Sequence, residues 1–334
     1  MAAVFAGFLL ALMLRFPLEA LDAAASGLRV FSQGVLPALF PYMVLCQLLT
    51  PALCRMRRIP RALPVAALAF MGGSPGGARL ISLLREQGAL NSRQTRLLAA
   101  LTGTCSPMFL LGTVSVWASS RALGVAVLAA HWLGSVLCAL CIWPFLKPES
   151  VPKSSAPAAV EPVSFAKAVQ GSALAMLTVC GCIVLMSVAA CLCGCAFPVF
   201  TRTAQAFLHA ALEMAGGSRA IISLGFPPRE AAVYVCAAIS FGGVSILLQN
   251  LSFLRPVGVP AVFLCGCRAL HALFSAALVY ALYPLCARVI PAASLAPTAP
   301  SPLLMAALFT SLALAAALVM LFRRSGKAKS LPAK

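Results

Sequence analysis

Acidic residues are scarce in this chain: only seven of its 334 residues are Asp or Glu. Charged residues of both signs make up 10% of the sequence, whereas soluble domains have about 25%. Hydrophobic residues make up 62%, and the mean hydropathy is +0.99. These values exclude a soluble globular protein and predict a polytopic helical membrane protein. The scarcity of carboxylates also argues against a proton pump or cation site, because such sites are usually built from acidic residues within the membrane.

Motifs for catalytic chemistry are missing as well. The sequence contains no P-loop, no HExxH helix and no recognisable catalytic triad. The fourteen cysteines are densest in C-x-C steps inside apolar runs, where cysteine behaves as a small hydrophobic residue. The three histidines, His131, His209 and His271, are expected to be packed in the core. We therefore expect no enzyme activity, no metal and no cofactor.

The net charge of +18 comes from lysines and arginines that cluster in short loops between apolar runs. The positive-inside rule places such loops in the cytoplasm. The charge therefore predicts membrane topology and does not indicate a nucleic-acid partner. We expect a multi-pass protein of the cell membrane with both termini cytoplasmic and the lipid bilayer as a partner.

Apolar runs divide the chain into about eight full spans, each near the length of about 20 residues that a membrane helix needs. The expected spans are 2–14, which is short, and 35–53, 95–117, 123–145, 168–197, 231–254, 257–285 and 302–322. The mildly amphipathic segment 18–31 is expected to lie at the membrane interface.

Two further apolar segments, 62–84 and 207–226, are broken in the middle by glycines. The first contains Met71-Gly-Gly-Ser-Pro-Gly-Gly-Ala-Arg79, and the second contains Glu213-Met-Ala-Gly-Gly-Ser-Arg219. Irregular backbone at membrane depth is tolerated only where protein or a watery cavity satisfies its polar groups. Basic residues flank 62–84 on both sides, so this segment should enter and leave on the cytoplasmic side. We predict two re-entrant hairpins with glycine tips, the second entering from outside.

The order of spans and breaks recurs in the two halves of the chain. The span 95–117 is interrupted at 102–107, and the span 231–254 is interrupted at 240–245. Inverted repeats with broken elements at the midplane are a design of secondary transporters. The predicted fold is therefore an all-α polytopic membrane protein with about eight transmembrane helices and two re-entrant hairpins in two inverted repeats. The expected parts are an N-terminal membrane segment with an interfacial helix (1–32), the first repeat (33–146), a cytoplasmic linker (147–165), the second repeat (166–290), and a C-terminal helix with a basic cytoplasmic tail (291–334).

Five motifs follow one another along the chain: GVLPALFPYMVLCQLL, GGSPGGAR, TGTCSPMFLLGTV, LEMAGG and FGGVSILLQ. In this order they resemble the YlbJ/SpoVV-type sporulation membrane proteins over most of the chain. That family belongs to the nucleoside-recognition Gate-domain group and is similar in plan to concentrative nucleoside transporters. The resemblance implies a transporter with hairpin tips and unwound helices around a central site. It also implies a role in spore formation, with dipicolinate as the leading candidate substrate.

The broken segments supply the predicted substrate site. Arg79 and Arg219 occupy matching positions and are predicted to clamp the two carboxylates of a dianion, because guanidinium binds carboxylate in a bidentate fork. The alternatives are that each arginine pairs with helix carbonyls or lies at the interface, or that Arg219 neutralises Glu213. Glu213 is predicted to contact substrate or to take up a coupling proton. The full predicted set is Gly73, Ser74, Gly76, Gly77, Arg79, Thr104, Cys105, Ser106, Glu213, Gly216, Gly217, Ser218, Arg219, Ser240, Gly242, Gly243, Ser245 and Gln249.

Two classes of function follow from these features. The first is a secondary transporter of a small organic anion or a nucleoside-like molecule, working by alternating access with a coupling proton or Na+. The second is a membrane scaffold or sensor in sporulation that transports nothing. The paired breaks favour transport, because a scaffold needs no glycine tips at the membrane midplane. An oligomer is compatible with both classes.

Overall fold

The computed structural model describes residues 2–54, 62–147, 163–197 and 199–290, and the regular structure of these residues is helical throughout. Two π-helical segments, Phe31–Val35 and Phe109–Val114, and a 3-10 turn, Trp143–Phe145, interrupt or extend the α-helices. In chain order the α-helices are α1 (Ala2–Arg15), α2 (Pro17–Val30), α3 (Leu36–Cys54), α4 (Ala62–Gly72), α5 (Gly76–Glu86), α6 (Ser92–Leu101), α7 (Ser115–Trp117), α8 (Arg121–Ile142), α9 (Phe165–Ala196), α10 (Arg202–Leu212), α11 (Met214–Ile222), α12 (Pro228–Phe241), α13 (Gly243–Leu254) and α14 (Ala261–Val289).

Five helical stretches in this part of the chain are long and apolar enough to cross a membrane, and they support the predicted all-α membrane fold. They are Pro17–Pro51, Arg121–Phe145, Phe165–Ala196, Pro228–Leu254 and Ala261–Val289. The predicted span 95–117 is not a continuous helix, because α6 ends at Leu101 and helical structure resumes only beyond Ser106. The predicted span 302–322 lies outside the described residues. The number of crossings therefore stays a prediction.

One long rod, which we call the first rod, replaces two segments that the sequence predicted to be separate. The backbone at Phe31 and Leu36 stays right-handed helical, so the π-helical turn between α2 and α3 carries the helix through without a break. The buried residues of α2 are Ala20, Gly27 and Val30, and α2 packs against α9. The segment 18–31 is therefore not a separate interfacial helix, because its apolar face packs on protein.

A second rod, α9, runs antiparallel to the first. Gly27 of the first rod lies against Ser187, where a Cβ on the glycine would be 3.1 Å from the serine Oγ. Further along the first rod, Gln47 Nε2 donates a hydrogen bond of 2.8 Å to Ser172 Oγ. Residue numbers thus rise along the first rod while they fall along its partner. The absence of a side chain at Gly27 allows the two rods to approach closely.

Two pairs of short helices lie where the sequence predicted hairpins. The pair α4–α5 is broken at residues 73–75, and the pair α10–α11 is broken at Glu213 alone. Gly73 has a φ of +68°, which glycine adopts readily. Gly216 and Gly217 were predicted to form the second tip, but both lie inside α11. Their small size serves packing instead, since a Cβ on Gly217 would overlap the backbone of Ala210 in α10.

Helix boundaries recur at a constant interval along the chain. The helix α4 spans Ala62–Gly72 and α10 spans Arg202–Leu212, so both ends are shifted from 62 to 202 and from 72 to 212, by 140 residues. The ends of α6 and α12 have the same spacing. The starts of α8 and α14, at Arg121 and Ala261, are again 140 residues apart. Equivalent elements therefore follow in the same order in both halves.

The helices α8 and α14 cross at the centre of the molecule. Gly134 in α8 is in direct contact with Ser275 in α14, so that a side chain at position 134 would overlap the serine hydroxyl. Three residues before Gly134, the ring of His131 stacks on that of His271 with 4.7 Å between ring centroids. Both histidines are fully buried. This crossing forms a rigid base under the broken helices.

Candidate functional site

The first tip is hydrogen-bonded to the unwound segment that follows α6. Ser74 N donates to Thr104 O over 2.8 Å. A Cβ on Gly73 would lie only 2.9 Å from Ser106 N, so the tip can approach this closely because position 73 has no side chain. The hydroxyl of Ser74 also donates to Asn250 Oδ1 in α13 over 2.9 Å. The first tip therefore joins both interrupted helices.

His131 connects the same unwound segment to the end of α12. Its Nε2 accepts a hydrogen bond from Cys105 N over 2.9 Å, and its Nδ1 lies 2.8 Å from Ser240 Oγ. Because a backbone N–H can only donate, the ring proton belongs on Nδ1, which donates to the serine. His271 Nε2 in turn lies 2.7 Å from His131 O. These histidines are packed in the core, as predicted, but they also hold the breaks in place.

The second break lies directly against the second tip. Gly242 and Gly243 have φ values of +85° and +70°, a conformation that residues with a side chain rarely adopt. A Cβ on Gly243 would be 3.0 Å from Leu212 O and 3.1 Å from Glu213 N. Glycine is therefore required here both by the backbone conformation and by the close approach of the tip.

Glu213 forms the second tip and caps α11. Its side chain is 2% exposed, and the two carboxylate oxygens accept hydrogen bonds from Ala215 N at 2.8 Å and Gly216 N at 2.6 Å. A carboxylate at a helix N-terminus is stabilised by the free amides and by the helix dipole. His209 lies one turn earlier, and a Cβ on Gly216 would be 2.7 Å from its Nε2. Arg219 is exposed and forms no ion pair with Glu213 within the described part of the chain.

The tips and breaks surround a closed cavity of about 30 Å³, which we call the central cavity. This volume is about the share of one water molecule in the liquid. Its wall includes polar residues from both tips, the first unwound segment and α13: Ser74, Cys105, Ser106, Glu213, Ser245 and Gln249. All six are among the predicted site residues. The two rods close the cavity with Val35, Leu39, Val179 and Ile183.

Other predicted site residues lie at the tips and breaks but outside this wall: Gly73, Thr104, Gly216, Gly217, Ser218, Ser240, Gly242 and Gly243. Among the described residues, Thr104 Oγ1, Ser218 Oγ and Gln249 Oε1 are buried without a hydrogen-bond partner. Buried polar atoms normally have a partner, so unpaired ones mark places where water or a ligand binds. Of these three residues, Gln249 borders the central cavity.

Arg79 and Arg219 do not face a common site, so the predicted two-arginine clamp is absent. Arg79 lines a second cavity of about 250 Å³ together with Gly76 and Gly77, and its Nη1 donates to Gly171 O over 3.2 Å. Arg219 lies on the exposed surface of α11. The physical reason is helix phase. Each successive residue turns the side-chain direction by about 100°, and both arginines lie on faces other than those that line the central cavity.

Arg268 is a buried cation that the predicted site did not include. It lies in α14 with 1% exposure, and its guanidinium donates to Gly103 O in the first unwound segment. Any side chain at position 103 would overlap the guanidinium, which explains the glycine there. Arg268 Nε and Nη2 have no hydrogen-bond partner among the described residues. An arginine inside an apolar run was the available signal, because a charge at membrane depth is costly and usually functional.

A third cavity of about 350 Å³ lies beside the second hairpin. Its wall includes Arg202, His209, Ala220 and Ser223. Two of these positions match residues of the second cavity after a shift of 140: Leu80 corresponds to Ala220, and residue 83 corresponds to Ser223. Each helix pair therefore has a cavity between itself and the ends of the two rods.

These features define a class of protein: a helical membrane protein in which two broken helix pairs and two interrupted helices meet at a small buried polar cavity. The chain is similar to the sporulation integral membrane protein YlbJ of Bacillus subtilis (strain 168), with 28% identity over 148 residues. The match covers 40% of this chain and 36% of that relative, so the chain spans only about a third of the relative's length. No family model and no solved structure matches the chain. The similarity to YlbJ confirms the resemblance that the motifs predicted.

Proposed function

We propose that this protein is a secondary transporter that moves a small organic anion across a membrane during spore formation, with dipicolinate as the leading candidate. The observation that carries the proposal is the composition of the central cavity. Both tips, the first unwound segment and the helix after the second break each contribute polar groups to one buried space. Converging broken helices are how secondary transporters build a substrate site. The similarity to a sporulation protein supports the cellular role.

The proposed fold has two inverted repeats, about eight membrane crossings, two re-entrant hairpins and cytoplasmic termini. The recurrence of helix boundaries after 140 residues and the antiparallel rods support the repeats. In this arrangement the two tips approach the central cavity from opposite sides of the membrane. Separation of one tip or the other would open the cavity alternately to each side.

The closed cavity is too small for an aromatic substrate, since sites for small molecules usually measure about 300–1,000 Å³. The structure thus corresponds to a contracted state in the proposed cycle. The start of α11 is a favourable place for an anion, because the free amides of a helix N-terminus bind carboxylates. Glu213 occupies two of these amides. We infer that a substrate carboxylate competes with Glu213 for them as the tip opens.

A nucleoside-like substrate is the second candidate, and the cavity wall itself supports it. Among the residues that line the central cavity, the only charged side chain is Glu213, and Gln249 contributes an amide with a free oxygen. Neutral hydrogen-bonding groups of this kind suit the base and ribose of a nucleoside. The two candidates therefore predict different results in a transport assay.

The test is uptake by the purified full-length chain in proteoliposomes, with radiolabelled dipicolinate and uridine compared. The Gln249→Leu variant removes the free amide from the cavity and should reduce uptake of the true substrate about fivefold or more, the worth of a hydrogen bond of about 1 kcal/mol. Gln205→Leu is the matched control, because Gln205 lines the third cavity and not the central one. Uptake of uridine alone would select the second candidate. Uptake of neither solute would favour a membrane scaffold or sensor.

A further inference from the structure

The second cavity has the size and the side chains of a small-molecule site. Its volume is about 250 Å³, several times that of the central cavity. It lies between the first hairpin and the ends of the two rods. Apolar side chains such as Met43, Leu68 and Leu80 form much of the wall. Polar groups are few, as is typical of ligand sites, in which a small number of polar groups fixes the orientation.

The polar groups of this cavity are positively charged or neutral. Arg79 and Lys167 supply two cations, and Gln47 supplies an amide. No acidic residue is among the residues that line it in the described part of the chain. Arg79 uses one N–H for Gly171 O, and a guanidinium has five, so several donors remain for another acceptor. A cation pair without a nearby carboxylate is suited to an anionic ligand.

The third cavity differs in charge although it occupies the equivalent place beside the second hairpin. Its wall includes Arg202 and His209, but the acidic residues Glu19 and Asp22 of α2 lie close to Cys191 in the same wall. Opposite charges within one cavity partly cancel, and the potential there is therefore less positive. Only the second cavity combines two cations with an acid-free wall.

We propose that the second cavity binds a small organic carboxylate and is the vestibule from which the anion reaches the central cavity. The first hairpin separates the two spaces: Gly76, Gly77 and Arg79 face the vestibule, while Ser74 faces the central cavity. A cation-lined approach concentrates an anion before the tip opens. The inference rests on the proposed transport function. Binding in the vestibule can nevertheless be measured without transport, so the two ideas can fail separately.

A native thiol reports on this cavity, because Cys46 lies in its wall and is partly exposed. The full-length chain in phosphatidylcholine vesicles is treated with either an anionic or a cationic thiosulfonate of similar size, and modification is read by peptide mass spectrometry. The anionic reagent should modify Cys46 about tenfold faster, relative to the cationic one, than it modifies the exposed Cys265. Arg79→Gln should abolish this preference. Arg219→Gln is the matched control and should leave it unchanged.

Ligand protection identifies the anion. Dipicolinate should slow the modification of Cys46 in the wild-type chain and have no effect in Arg79→Gln. Replacing phosphatidylcholine by phosphatidylglycerol tests the other source of anionic oxygens, a lipid headgroup. Protection by phosphatidylglycerol and not by dipicolinate would overturn the proposal, and so would equal charge preference at Cys46 and Cys265. Gly76→Cys provides a second reporter, because a Cβ at position 76 meets no atom within 4 Å.

Discussion

Removing the carboxylate of Glu213 is expected to destabilise α11 and the second tip. The carboxylate accepts hydrogen bonds from Ala215 N and Gly216 N at 2.8 and 2.6 Å. Loss of an N-cap side chain costs about 0.5–2 kcal/mol, and a buried N–H left without a partner costs about 1–3 kcal/mol. Because two buried amides lose their acceptor, Glu213→Ala should lower the free energy of unfolding by about 2–4 kcal/mol. Glu213→Gln keeps one acceptor oxygen and should lose about half as much.

The measurement is thermal unfolding of the purified full-length chain in detergent, followed by tryptophan fluorescence. Thr201→Ala is the matched control, since Thr201 caps α10 at an exposed position by accepting from Ala204 N over 3.2 Å. It should cost about 1 kcal/mol. The midpoint of Glu213→Ala should therefore fall several degrees below that of Thr201→Ala, at about 2–4 °C for each kcal/mol. Equal midpoints for the two variants would refute the assignment of Glu213 as a buried cap.

Four further results are expected. Glu213→Gln should make uptake insensitive to an imposed pH gradient if Glu213 takes up the coupling proton, whereas a raised KM with the gradient dependence retained would indicate substrate contact alone. Gly217→Ala should destabilise the chain by about 2 kcal/mol or more because its Cβ overlaps Ala210, while Gly181→Ala, which meets no atom within 4 Å, should be neutral or slightly stabilising in the same unfolding assay. His131→Ala should cost about 2–4 kcal/mol, because it leaves buried partners unpaired. Single cysteines at positions 58 and 93 should react with an impermeant reagent from the same side of the membrane, and labelling from opposite sides would end the hairpin model.

The broken helices could be predicted from sequence because their signals are local. Glycine and proline inside apolar runs mark positions where a helix is interrupted, whatever surrounds them. The breaks after Leu101 and at Gly242-Gly243 were predicted in this way, as were the six polar residues that line the central cavity. The order of these breaks along the chain was sufficient to predict the resemblance to YlbJ-type proteins.

The orientation of side chains around the breaks could not be predicted, because it depends on helix phase and on contacts between distant residues. The break in the second pair falls at Glu213, three residues before the glycines, because the carboxylate caps α11 and the glycines pack on α10. That shift, together with the helical turn, places Arg219 on the surface. The stack of His131 on His271 joins residues 140 positions apart, so no short-range pattern reveals it. The continuity of α2 with α3 likewise depends on the packing of α2 against α9.

Arg268 provides a test of whether the protein retains a costly charge in its core. Its guanidinium is buried and donates to Gly103 O, while Nε and Nη2 have no partner among the described residues. Replacing a buried charge by an apolar side chain of similar volume is often neutral or stabilising by about 1–4 kcal/mol, because the desolvation cost disappears. Loss of one charge-assisted hydrogen bond costs about 1.5–3 kcal/mol in the opposite direction. We therefore expect Arg268→Met to unfold at the same temperature as the wild type or above it, with Arg268→Lys as the variant that keeps the charge. A fall in the midpoint equivalent to more than about 3 kcal/mol would show that the folded protein pairs this guanidinium fully.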